Sequence, residues 1–208
     1  MAQQTLRERI FGVPIVYKIF QKVVGAPEKP ADLFKRLFDL DSNYRVLDIG
    51  CGEGASSAAV AGQVSQYVGI DHSETYIATA RKTNAQYSNA TFLVADASDP
   101  LVLEMEPFDI VMVSGVLHHL DSTTIHQMLS NATRVLKPGG RFVALEPVFS
   151  ERQGLIARLI IAADRGRFAR DQEGYERLLV THFQHVNCEI HDNLIRIPYT
   201  HISISAQN

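Results

Sequence analysis

The chain has 208 residues, a formal net charge of −3, and hydrophobic and charged fractions of 46% and 21%. These values describe one ordinary globular domain with a core of its own, and the weak negative charge gives no reason to expect nucleic acid as a partner. Cys51 and Cys188 form no CxxC pair, so the sequence predicts neither a disulfide framework nor a metal site and fits a reducing compartment.

The N-terminal region predicts two helices. Residues 5–24 carry apolar side chains at helical spacing before Gly25, and residues 31–40 repeat that pattern after a short proline-containing linker. Charged residues near the start and the lack of a long apolar run argue against a signal peptide or a membrane span, so we expect a cytoplasmic protein. The two helices either cover a sheet face or form a lid, and Tyr17 is the polar aromatic residue to follow there.

Residues 46–54, Val-Leu-Asp-Ile-Gly-Cys-Gly-Glu-Gly, predict a buried parallel strand that ends in a glycine loop. Glycines let the backbone turn sharply and let a ligand approach it closely. A helix of small residues follows from Ala55. Strand, glycine loop and helix together are typical of a nucleotide-type site at the carboxyl edge of a sheet.

Strands and helices then alternate along the chain. Strands are predicted at 67–70, 92–94, 109–113 and 141–145, with helices at 74–85, 99–105 and 123–136 and a Pro-Gly-Gly turn at 138–140. This order predicts an α/β fold with a doubly wound, mostly parallel sheet. Right-handed crossovers place every strand's carboxyl end at one edge, so Asp71, Asp96, Ser114 and Glu146 are expected to meet the glycine loop there.

The last third of the chain departs from this alternation. Residues 150–180 predict an amphipathic helix surrounded by arginines, which form either a solvated face or a cover that favours an anionic group. Residues 182–190 and 194–204 predict two strands around a turn at 191–193, a C-terminal antiparallel hairpin that extends the sheet. We therefore expect one domain: N-terminal helices at 1–42, a ligand-binding core at 43–147, a helical insert at 148–180 and the hairpin at 181–208.

The spacing and charge of the glycine loop indicate which ligand it holds. A dinucleotide fingerprint is G-x-G-x-x-G, whereas this loop is one residue tighter, with Asp48 two residues before its first glycine and Glu53 inside it. Those carboxylates would repel a pyrophosphate and suit a cationic ligand, such as an amino group beside a sulfonium. The region also lacks a Tyr-x-x-x-Lys pair, which disfavours an NAD-dependent oxidoreductase.

Over residues 44–147 the chain resembles class I S-adenosylmethionine-dependent methyltransferases. The resemblance rests on five motifs in order: 46–54, Asp71, Ala95-Asp96-Ala97, residues 108–120 with Val-Leu-His-His-Leu, and residues 134–140 with Arg-Val-Leu-Lys-Pro-Gly-Gly. The last two resemble the small-molecule branch that includes ubiquinone and menaquinone C-methyltransferases. The resemblance implies a Rossmann-like, mostly parallel seven-stranded sheet whose last strand is antiparallel, with N-terminal cap helices.

The resemblance also implies roles for individual residues. Asp48 would hold the methionine ammonium directly or through water, and the backbone at Gly50, Cys51 and Gly52 would lie against the cofactor. Asp71, with His72 beside it, would bind the ribose hydroxyls. Asp96 and the backbone amide of Ala97 would read the adenine, and Ser114 would lie near the methyl group. Tyr17 completes the predicted cofactor-binding set, and no metal ligand is assigned.

Methyl transfer to oxygen or to a carbon acid needs a base, and His119 and then His118 are the candidates because they follow the fourth strand. The alternative is that this pair only packs around the cofactor. The Asn/Asp-Pro-Pro-Tyr motif of many nitrogen methyltransferases is replaced here by Ser-Gly-Val-Leu at 114–117. We therefore expect S-adenosylmethionine-dependent methyl transfer to a hydroxyl or carbon of a small molecule, with glycan precursors or natural products as candidate acceptors. A methyltransferase-like binding protein without catalysis is the alternative.

Overall fold

The computed structural model describes residues 29–96, 99–163, 168–192 and 194–208. The predicted helix at 5–24, Tyr17 and Ala97 lie outside these residues. The chain forms a central sheet with the strand order β3-β2-β1-β4-β5-β8-β7 and with helices on both faces. Its strands are β1 Arg45–Ile49, β2 Gln66–Asp71, β3 Ala90–Val94, β4 Phe108–Ser114, β5 Leu136–Phe149, β6 Arg170–Asp171, β7 His185–His191 and β8 His201–Gln207.

The first five strands are parallel, and β8 runs antiparallel to both β5 and β7. This confirms the predicted Rossmann-like fold with seven strands along its main path and an antiparallel C-terminal pair. The short β6 adds an eighth strand beside the end of β5. The helices are α1 Pro30–Phe38, α2 Ala55–Ala61, α3 Glu74–Thr83, α4 Ser122–Val135, α5 Leu155–Ala163 and α6 Gln172–Leu179.

The core consists of two apolar layers, one on each face of the sheet. Met128 of α4 and Tyr175 of α6 pack on one face, and Phe38 of α1, Val60 of α2 and Ile77 of α3 pack on the other. The central strands contribute to both layers, as expected for parallel strands buried on both sides. Short turns of 3₁₀ helix at Pro100–Glu104 and Leu117–His119 follow β3 and β4.

The fifth strand is longer than predicted. It begins at Leu136, and the predicted Pro-Gly-Gly turn lies within an irregular start where the pairing with β4 shifts register and Gly139 has φ of +77°. The strand also continues past Glu146 to Phe149, because β8 and β6 supply pairing partners for these residues. The prediction that β5 closes at Glu146-Pro147 was therefore wrong.

The C-terminal strands pair as predicted, but a tight turn does not join them. The second strand begins at His201 and not at residue 194, so residues 192–200 form the connection. Leu194 is buried in the layer that contains Phe38, which draws this segment away from the sheet. The Thr200 hydroxyl donates to the Asp192 carboxylate at 3.0 Å and stabilises the connection.

The insert between β5 and β7 packs beside the carboxyl edge of the sheet. The Tyr175 hydroxyl of α6 donates to the Pro147 carbonyl at 2.9 Å, and Tyr175 is fully buried. Asp171 caps α6 by accepting from Gly174 N. Within the described ranges, no helix combines the length and the apolar character needed to cross a membrane.

Candidate functional site

The glycine loop folds against the end of β2. The amides of Gly50 and Cys51 both donate to the Ile70 carbonyl, at 2.8 and 3.0 Å. Gly50, Gly52 and Gly54 have φ values of +78°, +55° and +82°. These left-handed values are costly for other residues, which explains the three glycines in five positions.

Two of these glycines serve different purposes. A Cβ at Gly50 would lie 2.5 Å from Val116 Cγ2, so the loop after β4 can approach only because Gly50 has no side chain. A Cβ at Gly52 would meet nothing within 4 Å. The backbone at Gly52 therefore borders open space, as the backbone that supports a ligand must.

Replacing Gly50 with alanine is expected to destabilise the protein by about 2–5 kcal/mol, because the methyl group overlaps Val116 and the left-handed φ is strained. Gly52→Ala adds only the backbone strain, about 1–2 kcal/mol, but its methyl group occupies the ligand's space. Chemical denaturation of both variants measures the loss of stability. Calorimetric titration with S-adenosylmethionine, the expected ligand, measures the loss of affinity. Equal losses of stability would contradict this assignment.

Asp71 connects the glycine loop to the end of β2. One of its carboxylate oxygens accepts from Gly52 N at 3.1 Å and the other from Ser73 N at 2.9 Å. The residue is buried, whereas neighbouring His72 is exposed with Nδ1 3.5 Å from the carboxylate. A carboxylate oxygen has two lone pairs, so each oxygen can still accept a hydroxyl donor.

Asp48 lies beneath the loop and is almost completely buried. The Tyr67 hydroxyl donates to its carboxylate at 2.5 Å, and Ser57 Oγ lies 2.7 Å from the same hydroxyl. Burial raises the pKa of Asp48 to about 7, the bond from Tyr67 opposes that shift, and the charge of Asp71 adds to it. Asp48 is thus the acidic group of this loop whose protonation changes near neutral pH.

The other predicted cofactor residues occupy the same edge. Asp96 is exposed just after β3, and the Ala95 amide joins that end to the Asp71 carbonyl at 3.1 Å. Ser114 is half-buried at the end of β4. Cys51 Sγ packs towards Gly69 in the core, and burial raises the pKa of its thiol, so only the backbone of Cys51 can face a ligand.

A histidine and a glutamate pair at the ends of β4 and β5. His118 Nδ1 lies 2.6 Å from Glu146 Oε2, and both side chains are buried. Glu146 also accepts from the amides of Val116, Leu117 and His118, at 2.8, 3.0 and 3.3 Å. The Glu146 carboxylate therefore has four hydrogen-bonding partners, which fix its position. A hydrogen bond from Nδ1–H of His118 to this carboxylate assigns the acceptor role to the other ring nitrogen, Nε2.

The segment around this pair is held from the insert. Arg170 donates to the carbonyls of Leu117 and Leu120, and the Phe168 amide donates to the His118 carbonyl at 3.0 Å. His119 is exposed and its ring lies 4.1 Å from that of His118, centroid to centroid. The 117–120 turn is therefore fixed between Glu146 and the insert.

The histidines of the tail are arranged differently. His182 pairs with His126 at 3.0 Å, and His191 Nε2 lies 2.7 Å from Ser203 Oγ. His201 stands beside Pro147 in the sheet register, so it reaches the carboxyl edge, and the Tyr199 ring contacts it at a tilt of 49°. Burial lowers the pKa of His201 to about 4, so it is neutral at physiological pH.

Sequence reasoning placed Glu146 at the correct edge but did not pair it with His118, and it missed Tyr67 as the partner of Asp48. The register of the parallel strands explains both pairs. Ser114 pairs with Leu145, which brings the residues just after them together. Asp48 pairs with Gly69, and Tyr67 precedes Gly69 by two residues on the same face of β2.

The residues of this edge suit a cationic nucleoside better than a pyrophosphate. Asp48 and Asp71 are both carboxylates, and the loop leaves open space over Gly52. Residues 46–140 match the family described as "Methyltransferase domain". The match confirms, for this part of the chain, the predicted resemblance to class I S-adenosylmethionine-dependent methyltransferases.

Individual relatives agree with this assignment. The demethylmenaquinone methyltransferase of Staphylococcus aureus is 30% identical over 143 residues, which cover 64% of this chain and 58% of that enzyme. A segment of the hybrid PKS-NRPS synthetase gkaA of Penicillium citrinum is 29% identical over 154 residues, covering 70% of this chain and 4% of the synthetase. The chain thus spans little more than half of the first relative and a small part of the second.

Solved structures share the fold at low identity. Phosphoethanolamine N-methyltransferase 2 of Haemonchus contortus, solved with phosphomonomethylethanolamine and S-adenosylhomocysteine, superposes with a TM-score of 0.71 at 16% identity. The superposition covers 99% of this chain and 60% of that one. At this identity the likeness establishes the fold and leaves the acceptor open.

Proposed function

We propose that this protein transfers a methyl group from S-adenosylmethionine to a hydroxyl or an acidic carbon of a small molecule. The observation that carries the proposal is the buried His118–Glu146 pair beside the glycine loop and the acids of the sheet edge. Amines that are already neutral need no base, whereas hydroxyls and carbon acids must lose a proton. A built base therefore favours oxygen or carbon as the acceptor atom.

The cofactor would be held by the residues predicted from the sequence: Asp48, Gly50, Cys51, Gly52, Asp71, His72, Asp96, Ala97, Ser114 and Tyr17. S-adenosylmethionine supplies an electrophilic methyl group on a sulfonium sulfur. Asp71 offers two carboxylate oxygens to the ribose hydroxyls, and Asp48 offers a negative charge to the ammonium. The chain's contribution to the reaction is then orientation, exclusion of water and removal of a proton.

We assign the proton acceptor to His118 and not to His119. Glu146 fixes the His118 ring through Nδ1. The ring edge at Cε1 points towards Gly115, since Cε1 lies 3.9 Å from the position that a Cβ on Gly115 would occupy. The acceptor's proton passes to Nε2, and the imidazolium that forms is stabilised by the ionised Glu146. His119, by contrast, is exposed, whereas His118 is buried with its ring against Glu146.

The arginines of the insert form either a solvated face or a cover that favours an anionic group, and we propose the second for one of them. Arg170 is engaged with carbonyls, and Arg177 pairs with Glu173 at 3.2 Å. Arg158 lines an open cleft together with Arg170 and Arg177, and its guanidinium lies 5.6 Å from the Phe149 ring centroid. Of the three arginines that line this cleft, we assign the contact with an anionic group to Arg158, because Arg170 donates to carbonyls and Arg177 pairs with a carboxylate.

An acceptor screen tests the proposed chemistry. The purified protein is incubated with S-adenosylmethionine and with panels of phenols, sugars, quinols, activated carbon acids and amines, and S-adenosylhomocysteine formation is measured. We expect turnover with a hydroxyl or carbon-acid acceptor and none with the amines. Turnover confined to amines would contradict the assigned acceptor atoms.

A further inference from the structure

Three buried polar side chains form a chain of hydrogen bonds beneath the glycine loop. Ser57 of α2, Tyr67 of β2 and Asp48 of β1 are each exposed by 1% or less. The Ser57 and Tyr67 hydroxyl oxygens are 2.7 Å apart, and the Tyr67 hydroxyl lies 2.5 Å from the Asp48 carboxylate. The Asp48 carboxylate has exchanged water for the hydroxyl of Tyr67, which in turn bonds to Ser57. Its negative charge is therefore costly unless a cation is nearby.

We propose that cofactor binding is coupled to loss of a proton from Asp48, and that Tyr67 and Ser57 are positioning residues that set the pH at which this occurs. The inference rests on the proposed function, since it needs a cationic cofactor in the loop. In the cofactor-free protein below neutral pH, the Asp48 carboxyl is protonated. The cationic ligand stabilises the carboxylate, and the proton leaves to solvent on binding.

The hydrogen-bond chain can serve both states. When Asp48 is ionised, Tyr67 donates to it and Ser57 donates to Tyr67. When Asp48 is protonated, the acid donates to the Tyr67 oxygen and Tyr67 donates to Ser57, so no hydroxyl loses its partner. Burial raises the pKa of Tyr67 well above its usual value, so the phenol itself does not ionise.

Other titratable groups act on Asp48 from the surrounding elements. Asp71 at the end of β2 and the Cys51 thiol of the loop interact with it electrostatically, and Asp71 opposes its ionisation. Met112, its neighbour on β4, carries no charge. Exposed His72 lies beside Asp71, with Nδ1 3.5 Å from its carboxylate, and its contribution must be separated by a control.

The test is calorimetric titration of the full chain with S-adenosylmethionine between pH 5.5 and 8.5, in two buffers of different ionisation enthalpy. We expect proton release on binding, and an affinity that rises up to about tenfold per pH unit below pH 7 and then levels off. Tyr67→Phe removes a bond that favours the carboxylate, so we expect the midpoint to move up by about one pH unit. Asp48→Asn should abolish the dependence, and His72→Gln should retain it.

A second measurement needs no cofactor. Because folding raises the pKa of Asp48, its contribution to stability is complete at low pH and is lost as the pH rises through 7. Asp48→Asn should therefore be relatively more stable than the wild type at pH 8 than at pH 5, and Ser57→Ala reports on the same chain if Tyr67→Phe folds poorly.

Some outcomes refute this inference and others refute the function. S-adenosylmethionine binding with the same pH dependence in the wild type, Tyr67→Phe and Asp48→Asn would overturn the coupling and leave the proposed function intact. Failure to bind S-adenosylmethionine at any pH would overturn both.

Discussion

Replacing Glu146 with glutamine is expected to reduce turnover about 100- to 1,000-fold. The glutamine oxygen can still accept from the amides of Val116 and Leu117, which bond to Oε1 of Glu146, so the turn keeps most of its hydrogen bonds. The amide has no negative charge to stabilise an imidazolium, and its NH₂ group can donate to Nδ1 and shift the His118 proton to Nε2. The wrong nitrogen would then carry the proton, and His118 could not act as a base.

The measurement is the rate of S-adenosylhomocysteine formation with the acceptor found in the screen, beside the calorimetric affinity for S-adenosylmethionine. His118→Gln should match Glu146→Gln in rate, and both should bind the cofactor as the wild type does. His119→Gln is the matched control and should retain most activity. A large loss in His119→Gln with little loss in His118→Gln would reverse the assignment of the base.

Asp71→Ala is expected to weaken S-adenosylmethionine binding about 100-fold, because two charge-assisted hydrogen bonds of about 1.5 kcal/mol each are lost. It also leaves the amides of Gly52 and Ser73 without their acceptor, so some stability is lost as well. Asp71→Asn separates the two effects. The amide oxygen can still accept from one of the two backbone amides, while the charge and the second acceptor are lost.

Asp121→Ala is a useful comparison, since Asp121 also accepts a backbone amide, that of Thr124, but caps α4 away from the glycine loop. It should leave cofactor affinity unchanged. Asp96→Ala should weaken binding through the adenine while leaving the fold intact. Unchanged affinity in both the Asp71 and the Asp96 variants would show that these positions do not form the cofactor site.

The central part of the fold was predictable because its signals are local. Apolar runs that end in Gly50, Asp71 or Ser114 mark buried strands and their carboxyl ends, and the alternation with helices determines a parallel sheet. Helix caps are equally local: the Ser73 side chain caps α3 by accepting from the Tyr76 amide. The parallel arrangement then brings the acids to one edge without further information.

The less predictable features depend on partners distant in sequence. The extension of β5 follows from pairing with β8 up to Pro147, more than fifty residues away, and with β6 at Val148 and Phe149. The connection after His191 is long because Leu194 is buried near α1. The His118–Glu146 and Asp48–Tyr67 pairs depend on strand register, which the apolar pattern alone does not specify.

The protonation behaviour of the site could not be read from the sequence either. Asp48 in the glycine loop predicts a carboxylate near a cation, but its ionisation depends on how completely the loop and α2 bury it. Likewise, two adjacent histidines are equivalent in sequence. Their difference arises from the three-dimensional placement of Glu146 and from the contacts that Arg170 makes with the turn.

Calorimetric titration with S-adenosylmethionine, S-adenosylhomocysteine and NAD tests the central claim most directly, because it asks which ligand the glycine loop accepts and needs no knowledge of the acceptor. We expect both adenosyl compounds to bind. NAD should bind at least about 100-fold more weakly, since the carboxylates beside the loop repel its pyrophosphate. Preferential binding of NAD would contradict the account.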